Sequence, residues 1–326
     1  MRIGIVGPAW QDGFADNIID SLRSMGHQAV PVGSSFALGG HYTSAVAGLA
    51  RNALPALDQR LQRPIARAAL DAECEAVIVT EQRLAPDVVR QLRRGGVRVA
   101  LWFPDSLANL GRQLVLLSPY DAVFFKEPHL VKRLGAVLDL PVFYLPEACN
   151  PRWHRPLTTP GTQPHLVLAG NMYPSRVRLL ERLLAHGVPL RLYGPRFPRW
   201  IGRTPLRAVH AGRCVFGEEK AQVFRSAAAV LNTLHPSEIE GVNARLFEAA
   251  GSGAAVLTEF RPVLPGLFRE GEEVLAFRDF GELLAQAARL LSEAGLSAKL
   301  GDAAAARAHQ SHTYEKRLAV ILDKLS

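Results

Sequence analysis

The sequence predicts an α/β protein made of two doubly wound, Rossmann-like domains facing a cleft. Three observations predict it. Short, continuously apolar runs recur along the chain, amphipathic stretches of helical period lie between them, and the whole plan occurs twice. Apolar strands that alternate with helices belong to parallel sheets covered on both faces. At 326 residues the chain is long for one domain and comfortable for two of about 150 each.

In the first half, strands are expected at 2–6 ("RIGIV"), 28–32, 75–80 ("EAVIVT"), 97–103 ("VRVALWF"), 121–125 ("DAVFF") and 142–145. Helices fill the gaps. In "FADNIIDSLRSMGH", Ile18, Ile19, Leu22 and Met25 fall near a 3.6-residue period. The segment "YLPEACNPRWHRPLTTPGTQP" is rich in Pro and polar residues with little periodicity, which reads as a linker near residue 155. The domains expected are therefore 1–155 and 156–326. The second half repeats the plan with "HLVLAG", "LRLYG", "AAVLNT" and "AAVLT", and 304–324 reads as a terminal helix that can cross back to the first domain. In such folds ligands bind at the carboxyl ends of the strands.

Composition narrows the function classes. Apolar residues make up 48% and charged residues 21%, an ordinary soluble globular balance. No run of 18 apolar residues exists, so no transmembrane helix is expected. "MRIGIVGP" reads as a first strand and not as a signal peptide. Cys74, Cys149 and Cys214 are far apart with no CxxC spacing, which argues against a disulfide framework or a structural metal and for a reducing cytoplasm. The net charge of +8 is uneven, because nine arginines fall between Arg176 and Arg213 with only Glu181 to oppose them. That segment is either a solvated basic face or a surface for an anionic partner such as a phosphate group, nucleic acid or acidic glycan.

Two stretches carry candidate chemistry. In "LVLAGNMYPSRVRLLERLL" a strand ends at Gly170, a turn containing Asn171 follows, and a helix opens near Arg176. A helix N-terminus beside an arginine suits an anion, although on this stretch alone a plain strand–turn–helix junction is the favoured reading. In "EIEGVNARLFEAAGSGAAVLTE", Glu240 falls in a loop and Glu248 inside a helix that starts around Asn243. A loop carboxylate accepts bonds from sugar hydroxyls, and one near a helix start holds the paired hydroxyls of a ribose. The plainer alternative is a dipole-satisfying glutamate near a helix cap.

This second stretch resembles the E-x7-E signature of GT-B glycosyltransferases of the group 1 (family 4-like) class. "GVNARLFEAAGSGAAVLT", the tail "HQSHTYEKRL", "WFPDSLANLGRQ", "YDAVFFKEP" and "LPEACNPRWHRP" are most similar to the bacterial spore-maturation CgeB-like branch. The resemblance implies a nucleotide-diphosphate-sugar as co-substrate and no cofactor. It implies that Glu248 binds ribose, that Glu240 contacts the sugar or supports the reacting centre, and that Arg176, six residues after Gly170, grips the diphosphate. Relatives often carry an arginine directly after that glycine; here Asn171 stands there, and Arg245 is a candidate substitute. The backbone of Gly241, Val242 and Asn243 offers N–H donors to the diphosphate. With cations and helix N-termini to stabilise the leaving group, and no DxD-type aspartate pair, a metal-independent reaction is expected; the E-x7-E resemblance implies a retaining one.

The first domain would bind the acceptor. Its first loop, "GPAWQDGF", carries Trp10 to stack on a ring and Asp12 as a base for an inverting reaction, with a capped helix start at Asp12 or Asp16 as the bland alternative. Asp105 in "WFPDS" is a weaker candidate, and Lys126 and His129 read as surface. The rival reading is a non-catalytic nucleotide-sugar or nucleic-acid binding protein. A dinucleotide oxidoreductase is disfavoured because "GPAWQDG" lacks GxGxxG spacing. A polyanionic acceptor such as DNA would use the 191–213 segment.

Overall fold

In a computed structural model, the described residues are 1–326 except 39–40, 43–44, 106–113 and 159–160, with the side chains of 38, 41–42, 45–47 and 52 also outside the description. The expected segment "WFPDSLANLGRQ" is therefore described only to Asp105.

The chain forms two units, Met1–Pro146 with Tyr314–Ser326, and Glu147–Thr313. In the first, strands β1 (Arg2–Val6), β2 (Gln28–Gly33), β5 (Ala76–Val79), β6 (Arg98–Phe103), β7 (Ala122–Phe125) and β8 (Val142–Tyr144) make one sheet of order β2-β1-β5-β6-β7-β8. Every pairing in it is parallel. A small antiparallel pair, β3 (Ala37–Leu38) and β4 (His41–Tyr42), was not expected from the sequence, being too short for any periodicity to show. The helices are α1 (Phe14–Ser24), α2 (Ala45–Ala53), α3 (Pro55–Asp71), α4 (Pro86–Arg94) and α5 (Pro128–Leu138). Prolines open α3, α4 and α5 at the first turn, where no backbone N–H is needed. Alternate residues of the strands, among them Val77, Val79, Val99 and Leu101, bury against Ile65 and Ala69 of α3 and Val88 and Leu92 of α4.

The second unit repeats the design with β9 (Gln163–Ala169), β10 (Leu190–Tyr193), β11 (Ala227–Asn232), β12 (Val256–Glu259) and β13 (Leu275–Phe277), in the order β10-β9-β11-β12-β13 and again parallel throughout. Its helices are α6 (Pro174–Ala185), α7 (Leu206–Val209), α8 (Gly217–Ser226), α9 (Ala244–Gly251), α10 (Leu264–Leu267), α11 (Phe280–Ser292) and α12 (Leu296–Ser311). The period-2 alternation splits the core cleanly. Leu166, Leu168, Leu231 and Leu257 face α6 and α11, while Val167, Val230 and Val256 face α8, α9 and α12. In each unit the strand order reverses beside the first strand, at β1/β5 and at β9/β11, which opens a gap at the carboxyl ends.

Two expectations change. The terminal stretch is two helices, α12 and α13 (Tyr314–Leu325), broken at His312–Thr313. The carbonyl of His312 accepts the Cys149 N–H at 2.9 Å, and Thr313 bridges Cys149, so these groups leave the helical ladder. The presumed linker is also not loose: Ala148, Cys149, Asn150 and His154 are fully buried, and the division falls between Pro146 and Glu147. Helix α13 belongs with the first unit. There Tyr314, buried at 1% exposure, joins Phe14 (5.9 Å between ring centroids) and Trp102 (5.8 Å) in one aromatic cluster.

Replacing Tyr314 by Ala removes a fully buried ring from that cluster. The expected cost is about 3–5 kcal/mol of unfolding free energy, read as a lower urea midpoint with helicity otherwise retained.

Candidate functional site

At the end of β9, Gly170 has φ +150°, a backbone conformation that favours glycine, and a Cβ there would lie 3.1 Å from the Arg176 guanidinium. The absent side chain lets Arg176, in the first turn of α6, fold back over the strand end. Its Nε donates to Thr233 Oγ1 at 2.8 Å, one terminal nitrogen to the Thr233 carbonyl at 3.0 Å and the other to the Asn171 carbonyl at 2.5 Å. The guanidinium also lies 4.2 Å over the Tyr173 ring. Burial lowers its pKa from the ordinary value, with nearby Arg245 adding to the effect. An arginine stays charged regardless. It is a desolvated cation bridging the ends of β9 and β11, and part of its donor fork is unspent on these bonds.

The loop after β11 leads to α9. Asn243 is its N-cap in extended conformation, makes no side-chain cap bond, and donates weakly to the Thr233 carbonyl at 3.4 Å. The Oδ1 of Asn243 is buried without a hydrogen-bond partner, so a hydroxyl donor would satisfy it. Val242 is fully buried in the core, so only its backbone can serve a ligand. Gly241 is buried and Glu240 half-buried in the same loop, where the Glu240 carbonyl accepts the Val263 N–H.

Glu248 lies in α9 at 6% exposure. Its Oε2 meets Arg245 at 2.5 Å and Lys220 Nζ at 3.0 Å. Lys220 comes from α8 and is itself buried at 3% exposure. Two cations thus fix one oxygen of the carboxylate. Arg245, considered as a stand-in for a cation at Asn171, is held by Glu248 and packs over the Phe224 ring at 5.4 Å. Asn171 itself is exposed and contributes its carbonyl to Arg176.

In the first unit, Trp10 is 56% exposed after β1. Asp12 sits at φ +57°, and its N–H donates to Asp16 at 2.8 Å while its Oδ1 accepts from Asn17 at 3.4 Å. The cap of α1 is Gly13, so Asp16 is the first-turn acid and Asp12 lies outside the helix with its carboxylate against Asn17. Asp105 is exposed just beyond β6. Strands β1 and β6 are separated by β5 alone, so their ends lie roughly 10 Å apart. His129 is exposed as expected, but Lys126, directly after β7, is buried at 5% exposure, because the end of this central strand is covered by other parts of the chain.

Thr233, Tyr173 and Lys220 were not singled out from the sequence. None carries a mark of its own in the sequence: the burial of Lys220 depends on Glu248, the carboxylate partner that a buried lysine requires.

Residues 176–323 match the glycosyl transferase-like family model. No curated protein sequence matches the chain. Solved structures do match in fold. Anabaena HepE in complex with UDP-glucose aligns over all of both chains at 15% identity and a TM-score of 0.68. Sucrose-phosphate synthase from Thermosynechococcus elongatus aligns over 99% of this chain and 97% of its own at 14% identity and 0.66. The UDP-forming α,α-trehalose-phosphate synthase from Burkholderia xenovorans, in complex with glucose-6-phosphate, aligns over all of both chains at 12% identity and 0.64. The chain thus has the GT-B fold and carries a glycosyltransferase-like domain over residues 176–323.

Proposed function

We propose that the protein transfers a sugar from a nucleotide-diphosphate-sugar to an acceptor hydroxyl or similar nucleophile, with retention and without a metal. The observation that carries the reading is the pairing of a buried, Thr233-anchored Arg176 at the end of β9 with a cation-held Glu248 on α9, the helix that follows β11. The diphosphate lies against Arg176 and the N–H groups at the start of α9, with Gly170, Asn171 and the backbone of 241–243 around it. Glu248 takes the ribose hydroxyls, and Asn243 Oδ1 and Glu240 take hydroxyls of the sugar. The bond from the anomeric carbon to the diphosphate oxygen breaks, and the bond to the acceptor oxygen forms on the same face. The acceptor proton passes to the departing diphosphate, whose charge Arg176 stabilises more strongly for being desolvated.

The acceptor falls to the first unit, with Trp10 as stacking surface and Asp105 as a polar contact. The motif similarity supports the group 1 (family 4-like) class and its CgeB-like branch. No helix among the described residues is long and apolar enough to cross a membrane, and the wide cysteine spacing supports reading the enzyme as cytoplasmic. Since Anabaena HepE was solved with UDP-glucose, UDP-sugars are the donors to try first, followed by TDP- and GDP-sugars.

The deciding assay is nucleotide release from such a panel with EDTA present throughout. Turnover is expected; donor binding with no release under any condition would make the protein a non-catalytic nucleotide-sugar binder. In the same assay, Glu248→Gln should weaken donor binding by about 10- to 100-fold through loss of charged hydrogen bonds. Arg176→Ala should cut kcat/KM by about 100-fold. Unchanged donor affinity in Glu248→Gln would displace the ribose from this position.

Asp12→Ala separates the stereochemical courses. Retention predicts a rate within about threefold of the parent and a product anomer, read by NMR, that matches the donor's. Abolished transfer with intact donor binding would install Asp12 as the base of an inverting enzyme.

Six arginines of the 191–213 segment (191, 196, 199, 203, 207 and 213) are exposed, which favours a polyanionic acceptor such as DNA as the second reading. On that reading activity falls by orders of magnitude between 50 and 200 mM salt (roughly 10³-fold for six phosphate contacts); a flat response assigns a small or neutral acceptor.

A further inference from the structure

A cavity of about 470 Å³ opens at the carboxyl ends of β11, β12 and β13 within the second unit. It lies on the side of the sheet covered by α6 and α11, since its apolar wall is Leu179, Phe277 and Leu283, all of that core layer. Glu248 belongs to α9 on the opposite layer. The cavity is therefore distinct from the ribose position proposed above, and only the Arg176 region adjoins both.

Its charge is lopsided. Arg176, Arg182, Arg261 and Arg278 line it against two acids, Glu259 and Asp279. Both acids are engaged in holding the wall. Asp279 caps α11 by accepting the Glu282 N–H at 2.9 Å, and Glu259 accepts the Leu234 N–H at 3.1 Å while pairing with Arg261 at 2.9 Å. Arg261 further donates to the carbonyls of Glu238 and Phe260, and Arg278 is bidentate to Glu270 at 2.8 and 3.0 Å. Arg182 differs: among the described residues it has no ion pair, and its guanidinium lies 3.7 Å over the Phe280 ring. A cation stacked on an aromatic face keeps its in-plane N–H groups available to an anion.

We propose that this cavity binds a ring-bearing phosphomonoester, with the phosphate on Arg182 and the ring against Leu179, Phe277 and Leu283. The apolar wall is what a free phosphate cannot use, and the uncompensated arginine is what a neutral ring cannot use. Pockets of this size and mixed lining accept small molecules.

The test is titration of the full chain by calorimetry, without any nucleotide-sugar, using phenyl phosphate as the probe and inorganic phosphate as its comparison. Phenyl phosphate is expected to bind at least tenfold more tightly than inorganic phosphate. Arg182→Ala should weaken it about tenfold, and Leu179→Trp, which fills the cavity and keeps every charge, should abolish it. Glu248→Gln should leave it unchanged, and Arg182→Ala should keep the parent's far-UV circular dichroism and urea midpoint, which shows that the variant is folded. Equal binding of the two probes, no binding, indifference to Arg182→Ala, or loss in Glu248→Gln would each overturn the proposal, whatever the donor assays give. AMP and glucose 6-phosphate, run in parallel, tell a nucleoside-borne from a sugar-borne phosphate.

Discussion

The second unit turns on one buried guanidinium. Where the strand order reverses between β9 and β11, the connections leave the sheet on opposite faces and the strand ends stand open. Arg176 spans that opening by three hydrogen bonds to Asn171 and Thr233. Taking a cation out of water costs on the order of several kcal/mol unless polar partners replace the solvent. Here the partners are two carbonyls and a hydroxyl, none of them an anion. The guanidinium thus keeps its charge in a poorly solvated place, where Glu238 offsets part of it. Such a place favours an anionic ligand, and the backbone of Gly170 is shaped so that the guanidinium can occupy it.

Much of this was legible in the sequence because it is local. Strands such as 2–6, 97–103 and 121–125 announce themselves by unbroken apolar runs, and the structure places them within a residue of the expected bounds. The start of α9 at Asn243 and the place of Glu248 inside it follow from helical period and loop composition over a dozen residues. The signal was strong where propensity, pattern and turn chemistry all pointed the same way.

What was not legible depends on partners remote in the chain. Near His312 only Thr313, an N-cap type residue ahead of Glu315, hints at a new helix start; the contact that takes the His312 carbonyl out of the ladder comes from distant Cys149. Lys220 reads as an ordinary surface lysine until Glu248 is known to sit against it. The Pro-rich stretch after Tyr144 looks like a linker because prolines suppress periodicity, yet Ala148, Cys149, Asn150 and His154 are packed inside the second unit. The place of Lys126 was misread for the same reason, since burial of a strand end is set by what covers it and not by its own residues.

The two layers of the second sheet also constrain how the proposed sites relate. Glu248 and Lys220 are built into the α8–α9 layer, and the arginine-lined cavity into the α6–α11 layer, with the strands between them. Side chains within either layer cannot reach the other. Arg176 is the exception, because it arises at the start of α6 and bonds to Thr233 at the strand edge while also lining the cavity. Any ligand that draws the Arg176 guanidinium toward one side changes what the other side finds. Linkage requires the effect to be reciprocal: an anion in the cavity alters donor affinity by the same factor as the donor alters the anion's. The sign follows from geometry, since one cation shared between two anions, which also repel each other, makes the coupling negative.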